Sequence, residues 1–154
     1  MSGRGGDASL GAMDDIEGVR RLVFVYSQLI DDARYDEWEA LFTVDAVFTV
    51  WGSAYTGRTA IREGIAGMFS EYPGKHVAFA TVADFDGDEV WAWTDFTALA
   101  DAGPGKWGRS YMIATVARYY DHIVRRDGRW LFARRQIRMA GEPLPDGARP
   151  SPAC

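Results

Sequence analysis

The reactive inventory of this 154-residue chain is short: two histidines, one cysteine and a set of carboxylates scattered among many aromatics. His76 is the foremost candidate, because an imidazole can take a proton and give it back near neutrality. On position alone it also suits a loop histidine in solvent, since it follows Tyr72-Pro73-Gly74-Lys75 just ahead of a long strand. Asp95 interrupts the apolar run Val90-Trp91-Ala92-Trp93-Thr94, and Asp121 interrupts Tyr119-Tyr120 and His122-Ile123. A carboxylate within an apolar strand must be paired or hold its proton more tightly. Asp95 then pairs with an arginine across the sheet, and Asp121 with Arg134 or Arg138, unless either serves chemistry.

Other chemistries lack their residues. His76 and His122 lie far apart and no cysteine pair exists, so no metal-ligand spacing is present and no metal or cofactor is expected. Gly103-Pro104-Gly105 joins two strands and does not open a helix, unlike a phosphate loop. No Gly-x-Ser-x-Gly elbow occurs. Acid–base work by His, Asp and Tyr remains. Trp51, Tyr55, Trp91 and Trp93 are candidates to line an apolar pocket, and Arg138 is a candidate anchor for an anionic or carbonyl group of a substrate.

The elements that must position these groups follow from periodicity. Ile16, Val19, Val23, Tyr26 and Ile30 recur at helical spacing and predict a first helix ending near residue 33. Its end carries Asp31-Asp32, an unfavourable place for acids beside the helix C-terminus. Asp36 and Glu39 frame a short second helix burying Trp38, Leu41 and Phe42. Ala46–Trp51 reads as a strand, and Thr59 caps a third helix with Ile61, Ile65, Met68 and Phe69 on its apolar face. Beyond residue 76 the pattern turns strand-like. Asp86-Gly87-Asp88 and Asp127-Gly128 mark two hairpins, and residues 102–108 read as a longer loop. Both faces of the strand at 107–124 are apolar, which a one-sided sheet does not need, so one face is expected to meet a second subunit.

This order resembles the SnoaL-like branch of the NTF2-like superfamily, which includes scytalone dehydratase, polyketide cyclases and bile-acid dehydratase. The likeness runs over residues 14–139. It rests on Tyr26 and Asp31 five residues apart, the Asp36, Trp38, Leu41, Phe42 succession, Gly57-Arg58-Thr59 opening the third helix, and a histidine, His76, after it. The resemblance implies an α+β cone: three N-terminal helices on a strongly curved, mainly antiparallel sheet. It implies a cofactor-free dehydratase, cyclase or isomerase acting on a polyketide-like, polycyclic or terpenoid molecule. In that reading Asp31 orients His76, Tyr26 donates to an enolate oxygen, and Asp95 or Asp121 assists. Asp31 and Tyr26 lie about 140° apart on a helical wheel, so they border one pocket only if it wraps the helix end. Scytalone dehydratase-like proteins carry a second histidine near the Asp95 position, which this chain lacks. Two alternatives remain: an epoxide-opening enzyme using Asp95, Asp121 and an arginine, and a non-catalytic module like a dioxygenase small subunit.

Composition bounds the rest. The length suits one domain, expected over 13–140, with Gly-rich residues 1–12 and Pro/Gly-rich residues 141–154 as disordered tails. A net charge of −5 argues against nucleic acid. No apolar run is long enough for a membrane span and the N-terminus lacks a signal-like apolar stretch, so a cytoplasmic location is expected. The expected partners are a hydrophobic small molecule and further copies of the chain, as a dimer or trimer. Cys154, the last residue, is a poor nucleophile candidate.

Overall fold

In the computed structural model the backbone is described for residues 5–69 and 74–152, and side chains for all of these except 5–13 and 69. Cys154 and Phe69 therefore lie outside the described side chains. The elements run α1 (Gly5–Asp31), α2 (Tyr35–Glu39), β1 (Phe42–Val50), β2 (Ser53–Thr56), α3 (Arg58–Phe69), β3 (Gly74–Asp86), β4 (Glu89–Gly105), β5 (Gly108–Arg126) and β6 (Arg129–Met139). The strands form one sheet in the order β2-β1-β6-β5-β4-β3. All neighbours are antiparallel except β1 and β6, which run parallel. The result is the expected α+β cone. No helix among the described residues is long and apolar enough to cross a membrane.

Strand alternation divides the sheet into two faces. The inner face, towards the helices, presents Phe48 on β1, Arg135 and Ile137 on β6, Ala117, Tyr119 and Asp121 on β5, Ala92, Thr94 and Phe96 on β4, and His76 and Ala78 on β3. Helix α1 lays Val19, Val23, Tyr26 and Ile30 on it, all buried, as their spacing predicts. Tyr26, Trp38, Phe42 and Phe132 meet with ring centroids 5.0–6.2 Å apart, mostly edge to face. Large rings at this density make the cone's closed end rigid.

Helix α1 stops in a Schellman-type turn. Arg34 N–H donates to Leu29 O (2.9 Å) and Ala33 N–H to Ile30 O (3.2 Å), with Ala33 at φ 55° where glycine is usual. That stop fixes Asp31 on the last turn, facing β3.

Three expectations need correction. Of residues 1–12, expected to be disordered, 5–12 belong to α1, and 1–4 lie outside the described residues. The C-terminal segment is a strap and not a loose tail: Trp93 Nε1 donates to Arg149 O (2.7 Å) and Gln136 Nε2 to Asp146 O (2.9 Å). The apolar outer face of the sheet supplies its docking surface. Residues 102–108 are no long loop either, because β4 and β5 continue to a tight turn at Lys106-Trp107. The Asp101 carboxylate accepts from Gly103 N–H (2.8 Å) and pairs with Arg109, which holds this ribbon together.

Candidate active site

The site is assembled where α1 ends against the edge of the sheet. An edge strand leaves alternate backbone N–H groups without a strand partner. On β3 the N–H of His76 is met by Asp31, whose carboxylate oxygens lie 3.1 and 3.0 Å away. The same carboxylate lies 2.7 Å from His76 Nδ1, and Lys75 Nζ approaches its second oxygen at 3.1 Å. An ionised carboxylate only accepts, so Nδ1 carries the proton it shares with Asp31. The Asp31 side chain is 3% exposed and that of His76 9%, so this contact is shielded from water. The anomalous acid at a helix C-terminus is thereby explained: three donors stabilise it there. Tyr26 sits in the core stripe while Asp31 reaches round to the sheet edge, which reconciles their separation on the wheel.

His76 borders two connected cavities. The inner one, about 50 Å³, is lined by Tyr26, Phe48, Phe96, Tyr119 and Ile137 among others. The outer one, about 630 Å³, is its mouth; the two share Trp51, Met68, His76, Ala98 and Thr115. Tyr55 lines the mouth by lying against α3, where a Cβ on Gly64 would come within 2.3 Å of its ring. Trp51 is 58% exposed at the rim and holds φ 48° in the two-residue turn joining β1 to β2. A bulky residue in that left-handed region is uncommon and concentrates at functional places.

Behind the inner cavity lies a buried ion pair. Arg135 donates from Nε to Asp121 Oδ1 (2.8 Å) and from Nη2 to Oδ2 (2.7 Å), and both side chains are fully buried. The guanidinium carbon sits 4.0 Å from the Tyr26 ring centroid, 3.9 Å from Tyr119 and 4.0 Å from Phe132. Burial raises the Asp121 carboxyl above its usual range, with Arg135 opposing; the Arg135 guanidinium, disfavoured by burial, is nevertheless raised by that carboxylate. We take the pair as ionised, since both oxygens accept charge-assisted hydrogen bonds. Burial also pushes the Tyr26 hydroxyl up to about 12, with the guanidinium opposing, so it stays a donor.

The other candidates are dispersed. Asp95 lies on the outer face, 55% exposed, bonded to Arg118 Nε at 2.6 Å, and does not meet His76. Trp93 also faces outward, beneath the C-terminal strap, and Trp91 stacks there on His122 at 5.0 Å. Arg138 bonds Tyr120 Oη (3.1 Å) and Glu142 O on that face. Alternation decides all four: each has odd–even parity opposite to the inward residues of its strand. Asp121 does face inward, but it is spent on Arg135. The expected partner was Arg134 or Arg138; a β-bulge after His122 shifts the register by one and puts Arg135 opposite it. Asp95, Asp121 and an arginine therefore form no joint set. Sequence reasoning missed Arg135, Tyr119 and Lys75; the inward parity of β5, once Tyr26 is placed, would have pointed to Tyr119.

Three helices on a curved, mostly antiparallel six-stranded sheet make this the NTF2-like fold. The SnoaL-like domain family matches residues 11–136, and the chain belongs to it. A function-unknown protein of Mycobacterium tuberculosis superposes with a TM-score of 0.77 at 24% identity, over 89% of this chain and 78% of that one. A candidate scytalone dehydratase from Novosphingobium aromaticivorans gives 0.71 at 23% identity, over 93% and 97%. ActVI-ORFA of Streptomyces coelicolor gives 0.75 at 17%, over 86% and 99%. At such identities the likeness establishes the fold alone. No protein of curated function matches the sequence.

Proposed function

We propose that the chain is an acid–base enzyme of the dehydratase, cyclase or isomerase kind, acting on an apolar, ring-containing carbonyl compound. One observation carries this: His76 lines a shielded apolar cavity while its Nδ1 lies 2.7 Å from Asp31. With Nδ1–H donated to the carboxylate, Nε2 holds the lone pair. It takes a proton from the carbon next to the substrate carbonyl. The carbonyl becomes an enolate, whose oxygen receives a hydrogen bond from Tyr26. Asp31 stabilises the imidazolium, which then returns its proton either to a departing hydroxyl, releasing water, or to another carbon, giving an isomer. The likeness to a candidate scytalone dehydratase supports this reading at the level of fold.

Self-association is part of the proposal. The β4–β5 ribbon extends past the ends of β3 and β6 and exposes Trp107, Tyr111, Met112, Ile113 and Val116. Exposed apolar side chains gathered in one place mark association surfaces, and sedimentation should show a dimer or trimer.

The chemistry is tested without knowing the native substrate. β-Tetralone, a bicyclic ketone with acidic α-protons, is incubated with protein in D₂O and followed by NMR. Wild type should accelerate deuterium uptake, and His76→Ala should lose about 10²–10⁴-fold of that acceleration while remaining folded. Equal exchange by the two proteins would overturn the assignment.

A further inference from the structure

The wall of the inner cavity that His76 borders also holds a polar group that the protein leaves unused. Tyr119 is 0% exposed and lines this cavity together with Tyr26 and His76, yet its hydroxyl has no hydrogen-bond partner among the described residues. Nη1 of Arg135, beside it, is likewise unpartnered. Buried donors without acceptors are rare because desolvation is not repaid, and they call for an explanation. Poor placement does not explain this one. Phe96 stacks on the Tyr119 ring at 3.9 Å with the planes 3° apart, so the guanidinium carbon of Arg135, 3.9 Å from the ring centroid, must take the other face. A phenol clamped on both faces is held in one orientation.

We propose that Tyr119 is a substrate-binding residue whose hydroxyl donates to the oxygen of a ketone or phenol carried at one end of a flat apolar ligand. The proposal rests on the reading above for the reaction, but its binding claim stands on the cavity itself. At about 50 Å³ the inner space admits only an oxygen-bearing ring edge, while the 630 Å³ mouth takes the ring body against Trp51, Tyr55 and Met68. The ligand therefore enters oxygen first. Burial holds the Tyr119 hydroxyl well above its ordinary range, so it offers a proton and not a charge, and Tyr26 supplies a second donor nearby. Two donors on one oxygen fix its position relative to His76 and so select which carbon presents its proton.

The test compares β-naphthol with naphthalene, which differs only by lacking the oxygen, using calorimetry on wild type and Tyr119→Phe. Wild type should prefer β-naphthol. Tyr119→Phe should weaken β-naphthol about tenfold, leave naphthalene within about twofold, and melt at or above the wild-type temperature, since it discards an unsatisfied hydroxyl. Equal weakening of both ligands, no weakening of either, no wild-type preference, or a lowered melting temperature would each overturn it. Deuterium exchange on β-tetralone separates the two proposals. If exchange requires His76 while β-naphthol ignores Tyr119, this inference fails and the acid–base reading stands. If β-naphthol senses Tyr119 but no exchange occurs, the reverse holds.

Discussion

Replacing Asp31 by asparagine separates the two duties that the structure gives one carboxylate. Asp31 accepts from the His76 backbone N–H at 3.0–3.1 Å, from Nδ1 at 2.7 Å and from Lys75 Nζ at 3.1 Å. Asparagine keeps the shape but offers one acceptor oxygen and an NH₂ that faces donors. The Lys75 side chain is more than half exposed and can turn to water, so its loss costs little. With its oxygen in the Oδ1 place the amide still accepts from both shielded donors, at 3.1 and 2.7 Å. Its NH₂ then lies against the backbone N–H that Oδ2 accepted at 3.0 Å, at a cost of about 1–3 kcal/mol. Asp31→Asn should therefore lower stability by that amount in urea denaturation. It should also cut β-tetralone exchange by about 10²–10⁴-fold, because the imidazolium formed in turnover loses its counter-charge. Stability lost with exchange within threefold of wild type would show that Asp31 merely closes the strand edge, and the dyad reasoning would fail.

Other outcomes follow from the same geometry. The Tyr26 hydroxyl is raised from 10.0 to about 12, so above pH 10 the unfolded chain ionises there while the native state does not. The stability this contributes is intact below the unfolded value and falls as pH rises towards the folded one, by about 3 kcal/mol, and Tyr119 acts in the same sense. Urea midpoints across that window should drop for wild type and drop less for Tyr26→Phe. Asp121→Ala strands a buried guanidinium and should cost about 3–5 kcal/mol in denaturant titrations. Asp95→Ala breaks only a half-exposed pair and should stay within about 1 kcal/mol, without changing exchange. Trp51→Asn relieves a left-handed φ of 48° and creates an Asn-Gly turn. It should raise the melting temperature, by roughly 1 kcal/mol of stability, while weakening β-naphthol and naphthalene alike.

The fold was legible because its signals are local. Helical spacing from Ile16 to Ile30 and the two Asp-Gly turns mark the elements, and their order suffices for the architecture. The site was legible only in part. His76 and Asp31 are 45 residues apart, and no periodicity brings them together; the resemblance suggested the pair and the helix stop at Ala33 accounts for it. The faces of β4 misled, since Trp93 and Asp95 share a parity that points under the strap and away from the cavity. A single bulge at His122 moved the arginine opposite Asp121 by one place, which no count from the turn could reveal. The strap itself was hidden by its prolines and glycines, whose composition says nothing about the tryptophan waiting for a backbone carbonyl.

The most direct measurement is a crystal of the protein soaked with β-naphthol. The account predicts density running from the mouth between Trp51 and Tyr55 into the inner cavity, with the naphthol oxygen within hydrogen-bonding distance of Tyr26 or Tyr119 and the ring edge against His76. Density confined to the opposite face, between the C-terminal strap and Trp91, with the cavity beside His76 left empty, would contradict it.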